Sequence, residues 1–440
     1  MLVDIHTADH IEKNGAFYTA KVDDFELHSA FQPVISLIHH RTIGYEGLIR
    51  PYYNGEGTSP DKLFKTLGSN AFASELDRTC RTLHLMNAGL VNVAQSNGWL
   101  FLNVDANTIL EDFYTGDEIR NALDPIGFRP EHIVLEILEK NIEDPRRLAH
   151  FVQHYKQMGF KIALDDFGAG ESNFERIHTI HPSIVKLDRS IIQNLAMGYN
   201  GVNILKRVVS LLREMGSMVL IEGVETEEQA MMVMETDADL VQGFYFCKPV
   251  IGSPPKDQGE AKRQIKKLSL LQKSAARKRI EYRDRLESQL RDVFEKAVAA
   301  GQEGESAISK ILFQRKHILR FYVLDHQGYQ ISHTFSNPNL REIDTTYHPL
   351  QKMEGANWAR RDFFFEAIRN PDITYFSTPY LSLPEETLSI TLSSTFKDKT
   401  GLIRILCVDV DANALSKMTL TAVRRLYPKA VSFNPPKDLA

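Results

Sequence analysis

The chain has 440 residues, 43% hydrophobic and 25% charged, the balance of a soluble globular protein too long for one ordinary domain, so two domains are expected. No apolar run approaches the ~20 residues that span a bilayer, and the start of the chain, with Asp4, His6, Asp9 and His10, lacks a basic region followed by an apolar core; a cytoplasmic protein without membrane contact is expected. A net charge of −5 gives no overall attraction to DNA, and Cys80, Cys247 and Cys407 have neither disulfide-framework nor zinc-ligand spacing, which leaves them as core thiols.

Short apolar runs recur at Phe31–Leu37, Ile43–Ile49, Trp99–Val104, Ile133–Ile137, Lys161–Leu164, Ile184–Leu187, Met218–Ile221 and Val241–Phe246, and read as eight strands. Amphipathic helical patterns at Leu76–Val93, Arg147–Met158, Val202–Met215 and Glu227–Met234 lie between them, the signature of repeated βα units. Only Ile38 to Thr42 separates the first two runs, too little for a parallel crossover, so the first strand is expected antiparallel. The fold class is α/β, a TIM-like barrel with one antiparallel strand, which predicts chemistry at the C-terminal ends of the strands.

Those ends are polar in a consistent way. Successive strands finish with Glu46 and Arg50, Asn103 and Asp105, Glu136 and Glu139, Asp165 and Asp166, Lys186 and Asp188, Glu222 and Glu225, and Gln242. The adjacent Asp165 and Asp166 precede a glycine-rich loop, where Asp166 as a plain helix N-cap is the alternative reading. So many carboxylates on apolar strands carry a severe repulsion and desolvation cost unless cations join them. Hard oxygen donors suit Mg²⁺ or Mn²⁺, and Ca²⁺ in a looser site. With an Arg, a Lys and an Asn nearby, a phosphate ester is the expected ligand.

In this order the residues resemble the EAL-domain family of cyclic di-GMP phosphodiesterases over about residues 20 to 255. The family's name motif appears as Glu46-Gly47-Leu48-Ile49-Arg50, preceded by Gln32-Pro33. Its ExxE motif is Glu136 to Glu139, its DDFGTG motif Asp165 to Gly170, its Lys-x-Asp motif Lys186 to Asp188, and EGVE is Glu222 to Glu225, with Gln242-Gly243 and Lys248-Pro249 closing the series. The resemblance implies a two-ion site for Mg²⁺ or Mn²⁺, with Ca²⁺ as a non-productive ligand. Glu46, Asn103, Glu136 and Asp165 would hold the first ion, and Asp165, Asp166 and Glu222 the second. Lys186 would position or deprotonate the attacking water, making Lys186, Glu46 and Asp165 the catalytic set. Gln32, Leu48, Arg50, Asp188, Gln242 and Pro249 would contact the nucleotide, although Leu48 and Pro249 could equally be packing residues. Glu139, together with Glu225, would anchor the loop after Asp166, which in the family couples metal binding to the dimer. Cyclic di-GMP as ligand, its linear dinucleotide as product, and a homodimer follow from the same resemblance.

Departures from the family pattern are visible. Gly47 replaces the motif's alanine, expected to matter little beyond added backbone freedom. Leu138 stands for a common threonine, and Ala169-Gly170-Glu171-Ser172-Asn173 stands where the family usually reads Thr-Gly-Tyr-Ser-Ser. A receptor that binds the nucleotide and metal without cutting is therefore the second reading.

Pro254, Pro255 and Gly259 break the barrel pattern, which places the first domain at residues 1–255. Between Ala261 and Ala300 neither Pro nor Gly occurs, and Leu268, Leu271, Ala275, Tyr282, Leu286, Leu290, Val293 and Ala297 make an amphipathic helix, assigned to a linker at 256–301. Its stripe is expected to pack on its own domains, with a two-helix dimer contact as the alternative; its charges read as a solvated face. Phe321 to Ile331 then predicts a hairpin, Asn357 to Ile368 a helical stretch, and Leu388–Phe396 with Gly401–Asp409 two further strands. This order resembles PAS-like and Cache-like sensor domains, giving an α+β second domain at 302–440. Trp358, Arg360, Tyr375 and Tyr380 are its candidates for holding an unidentified small molecule, with core packing as the plainer role.

Overall fold

The computed structural model describes residues 10–67, 73–91, 98–110, 123, 126–138, 144–169, 174–196, 201–254, 259–340, 352–371, 373–382 and 387–412. It forms two units, Met1–Gln272 and Lys273–Ala440.

The first unit opens with β1 (Ile11–Asn14) and β2 (Phe17–Val22), joined by Gly15 at φ 63° and Ala16. This hairpin, unforeseen above, runs on into β3 (Phe25–Ser36) and β4 (Arg41–Tyr53), both longer than their apolar runs, and β5 (Glu56–Gly57) folds back on β4. The barrel continues with β6 (Trp99–Val104), β7 (Ile133–Leu138), β8 (Lys161–Phe167), β9 (Ile184–Leu187), β10 (Met218–Ile221) and β11 (Leu240–Val241). From β4 through β11 neighbours pair in parallel, while β3 pairs antiparallel with both β4 and β11 and closes the ring of eight. The reversed first strand follows from its short connection, which can form a hairpin but not a crossover. The last strand is shorter than expected, because the chain turns at Gly243, whose carbonyl accepts from the amides of Phe246 and Cys247. Beyond it, β12 (Val250–Ile251) pairs with β3 at Phe31 and Ala30.

Outside the ring stand helices Ala73–Gly89, Pro145–Gln157, Gly201–Glu214 and Glu227–Met234. Local chemistry sets their starts: Asp144 accepts from the Arg146 and Arg147 amides ahead of Pro145, and Thr226 forms a reciprocal capping pair with Gln229.

Strand alternation sends every second side chain inward. Val34, Phe101, Val134, Ala163, Ile184, Leu220 and Leu240 make one buried layer, each worth about 1.5–3 kcal/mol when large and fully buried. The matching position on β4 is Gly44, where a Cβ would lie 2.4 Å from the Trp99 carbonyl oxygen. Two residues onward on each parallel strand, and two back on the reversed β3, stand Glu46, Asn103, Glu136, Asp165, Lys186, Glu222, Gln242 and Gln32. An apolar plug therefore supports a polar layer at the C-terminal mouth.

The helix Gly259–Ala299 contains the division between the units. Its early residues Ala261, Ile265 and Leu268 belong to the barrel's outer core. Its late residues Leu290, Val293, Phe294 and Ala297 belong to the core of the second unit. The two ends of the stripe thus pack within the chain's own units, and the exposed Leu270 and Ile280 lie between Leu268 and Leu290. The second unit is a six-stranded antiparallel sheet of β13 (Ile318–Leu324), β14 (Phe335–Ser336), β15 (Tyr375–Phe376), β16 (Tyr380–Ser382), β17 (Thr387–Lys397) and β18 (Ile403–Asp411), with helix Asp362–Arg369 against it. The hairpin expected after β13 is reduced to an isolated bridge between Leu324 and Gln330, since the Gln330 amide donates to the Ala356 carbonyl and its carbonyl accepts from the Gly355 amide instead. Among the described residues no helix is long and apolar enough to cross a membrane.

Candidate metal centre

Glu46, Glu136, Asp165 and Lys186 are buried on the inward face of β4, β7, β8 and β9, and Glu222 is half-buried just past β10. The Lys186 ammonium sits among them. Its Nζ is 2.6 Å from Glu136 Oε1, 2.7 Å from Glu222 Oε1, 3.0 Å from Asp165 Oδ2 and 3.5 Å from Glu46 Oε1.

Asp166 joins this group by a local irregularity. Simple alternation would send it to the outer face, opposite Asp165. Between Leu164 and Phe167 the pairing of β8 with β9 slips by one residue, a bulge, and Asp166 adopts φ 56°. The result is two triads of carboxylates, Glu46 with Glu136 and Asp165, and Asp165 with Asp166 and Glu222, each with oxygens within 4.8 Å of one another. Asp165 belongs to both. The Asp166 backbone amide donates to Asp165 Oδ1 at 2.8 Å.

One ammonium has three protons for four carboxylates. Neither Glu136 oxygen and not Glu222 Oε1 accepts a hydrogen bond of acceptable geometry, despite their closeness to Lys186. Burial, reinforced by the neighbouring acids, pushes the Glu136 carboxyl well above the usual range, and burial with Asp165 and Glu46 raises Glu222 to about 8. Burial would also raise Glu46, but Lys186 and the Gln242 hydrogen bond outweigh it and hold that carboxyl low. For Lys186, burial acts downward and the surrounding carboxylates more than reverse it, so it remains an ammonium. Buried acceptors that share too few donors, all hard oxygens, fit divalent cations of the Mg²⁺ or Mn²⁺ kind.

The remaining expected residues fall in three groups. Asn103 is exposed on β6 and in register with Glu136, and Leu48 and Arg50 follow Glu46 at two-residue steps on the same face of β4. Arg50 Nη1 donates to the Ile49 carbonyl. Pro249 is half-buried immediately before β12. Gln32 and Gln242, expected at the nucleotide, form a chain behind Glu46: Gln242 Nε2 donates to Glu46 Oε2 at 2.5 Å and to Gln32 Oε1 at 3.1 Å, and Gln32 Nε2 donates to the Cys247 carbonyl. Asp188 lies beyond Lys186, and its Oδ1 accepts from the Ser190 amide at the start of the next helix. Glu225 is exposed, while Glu139 and residues 170–173 lie outside the described residues.

Sequence reasoning missed His84. This buried imidazole from helix Ala73–Gly89 reaches Ser29 Oγ at 2.8 Å behind Gly47, and no motif announces it. In the second unit, Trp358 and Tyr380 line a cavity of about 200 Å³. Two expectations there are corrected. Arg361, not Arg360, lines that cavity, and Tyr375, on β15 rather than β16, packs in the same apolar cluster as Trp358 and Tyr380 without lining the cavity.

Comparison with known proteins adds the following. The EAL domain family model matches residues 18–249. The chain is 27% identical over 241 residues to the cyclic di-GMP phosphodiesterase NbdA of Pseudomonas aeruginosa, covering 52% of this chain but only 29% of that one. It is 23% identical over 384 residues to the uncharacterized EAL-domain containing protein YkuI of Bacillus subtilis, covering 84% of this chain and 92% of that one. The crystal structure of YkuI in complex with substrate c-di-GMP and calcium is alike in fold, with a TM-score of 0.73 at 23% identity over 88% of this chain and 96% of that chain.

Proposed function

The chain belongs to the EAL-domain family, and on that premise we propose that its barrel hydrolyses cyclic di-GMP to the linear dinucleotide with Mg²⁺ or Mn²⁺, under the influence of its second unit. The observation that carries this reading is Lys186 ringed by four carboxylates, with neither Glu136 oxygen accepting a hydrogen bond of acceptable geometry. Glu46, Asn103, Glu136 and Asp165 would hold one cation, and Asp165, Asp166 and Glu222 the other. A cation pair at such a site supplies acidification of a water molecule and neutralisation of charge on a phosphodiester. Lys186, as an ammonium, orients the water as a donor rather than removing its proton. Gln242 and Gln32 hold the Glu46 carboxylate in one orientation. Arg50 meets a phosphate of the nucleotide at the mouth, beside Leu48 and Pro249.

The second reading, a receptor that retains the nucleotide intact, is favoured by Glu171 and Asn173 in the loop that follows Asp166. A PAS-like character for the second unit, a homodimer and a cytoplasmic location complete the proposal. Chromatography of cyclic di-GMP after incubation with the protein and Mg²⁺, Mn²⁺ or Ca²⁺ tests it. Linear product with Mg²⁺ or Mn²⁺, lost in Glu46→Ala, supports hydrolysis. Tight calorimetric binding with the nucleotide recovered whole supports the receptor.

A further inference from the structure

The second unit's sheet has two unlike faces. Phe321, Val323, Leu392, Leu406, Val408 and Val410 form an apolar face that belongs to the same core as Leu290, Val293 and Phe294. On the opposite face, Arg320, Asp409 and Thr391 are cross-strand neighbours on β13, β18 and β17, with exposures of 2%, 2% and 0%. A buried ion pair adds little net stability, because desolvation offsets its attraction. Its position on the wall of the cavity of about 200 Å³ points to a role in binding.

The acceptors of the polar floor are taken up internally, while Arg320 Nε and Nη2 make no hydrogen bond of acceptable geometry. Asp409 Oδ1 accepts from Thr391 Oγ1 at 2.8 Å and Tyr380 OH at 3.3 Å, Oδ2 accepts from Ser382 Oγ at 2.8 Å, and Arg320 Nε lies 3.4 Å away. Gln330 is equally committed, donating to the Ser332 carbonyl and Thr334 Oγ1 and accepting from Trp358 Nε1. Asp409 therefore offers a ligand no open acceptor, and its charge is matched by Arg320. The third charged residue of the lining is Arg361, exposed at the rim, its guanidinium carbon 5.4 Å from the centroid of the Tyr380 ring. Among the described residues no carboxylate pairs with it, so the described lining carries one positive charge in excess. Tyr322 and Trp358, ring centroids 5.8 Å apart, supply an aromatic wall.

We propose that this cavity binds a small monocarboxylate, its anionic end on Arg361 and its body against Trp358, Tyr322 and Tyr380. A cavity of ~150 Å³ accommodates benzene, so this one takes a molecule of roughly eight to ten non-hydrogen atoms. The planar guanidinium matches a carboxylate with two parallel hydrogen bonds. A cationic ligand is disfavoured by the excess charge, and a phosphate ester by the commitment of Arg320 to Asp409.

Calorimetry on the full chain with benzoate and 4-methylpentanoate, against benzamide, 4-methylpentanamide and benzylamine, tests this. The expected result is saturable binding of the carboxylates, at least tenfold weaker for their amides and absent for the amine. Arg361→Gln, a change at an exposed residue, is expected to weaken carboxylate binding at least tenfold without moving the melting curve. Only Trp99 and Trp358 occur in the chain, so in a Trp99→Phe variant benzoate should quench the fluorescence of Trp358. No saturable binding of either carboxylate at millimolar concentration, equal affinity for acid and amide, or an Arg361→Gln variant that binds as before overturns the proposal.

Discussion

Gly47 and His84 occupy a single small volume: a Cβ on Gly47 would stand 2.9 Å from His84 Cγ. The imidazole is buried on helix Ala73–Gly89, edge-on to Phe31 with ring centroids 6.1 Å apart. Burial lowers its pKa to about 3, so it packs as a neutral ring. The glycine in the motif that carries Glu46 is therefore a packing match between β4 and a helix, and not the inconsequential loss of a methyl group.

Restoring the alanine should be costly here. Gly47→Ala is expected to destabilise the protein by about 1–3 kcal/mol through overpacking and to weaken cation binding by displacing the adjacent Glu46. In Gly47→Ala/His84→Ala the two changes should fail to add by at least ~0.5 kcal/mol. Urea denaturation of the four proteins measures this, and strict additivity contradicts the shared volume.

Lys186 is the counter-charge of the cation-free site. Lys186→Met leaves buried carboxylates without it and is expected to cost about 3–5 kcal/mol in EDTA, with part of the loss recovered in Mn²⁺. Thermal melting in both buffers checks this. Equal losses with and without the cation would be evidence against the site.

A pH dependence follows from Glu222 and Glu136. With a folded pKa of about 8 against an ordinary 4.5, Glu222 binds more protons folded than unfolded between those values. Stability without cations should therefore fall as pH rises from about 5 to 8, by the linkage between proton uptake and unfolding. Ligation requires the ionised carboxylate, so apparent Mn²⁺ affinity should rise over that window and binding at pH 7 should release protons. Calorimetry in buffers of different ionisation enthalpy reads the release directly, and none at pH 7 contradicts the raised carboxyls.

Gln242 tests the support behind Glu46. Gln242→Leu removes the 2.5 Å hydrogen bond to Glu46 Oε2 and the link to Gln32, and cation affinity is expected to fall about 10- to 100-fold. An affinity within twofold of the parent would make the contact incidental.

Much of this site is legible in the chain, because strand alternation is a short-range rule. The step from Val134 to Glu136, or from Ile184 to Lys186, already separates an apolar layer from a polar one. Asp166 is where that rule fails: its convergence with Glu222 needs a bulge, which depends on pairing with β9 and leaves no periodic trace. The commitment of Gln32 and Gln242 to Glu46 likewise depends on ring closure between β3 and β11. The β1–β2 hairpin did carry a signal in Asn14-Gly15, but β1 is four residues long and mostly polar, too short to show a strand pattern of its own. Arg361 and Arg360 cannot be told apart by composition, and only the turn after Trp358, where the Arg361 amide bonds the Trp358 carbonyl, decides which one reaches the cavity.

Anomalous diffraction from crystals grown with Mn²⁺ and cyclic di-GMP bears most directly on the metal centre. Two peaks roughly 3.5–4 Å apart at the barrel mouth, both bonded to Asp165, are the expected result. A mouth without manganese, with Lys186 still seated among Glu46, Glu136, Asp165 and Glu222 while the nucleotide is bound, would contradict it.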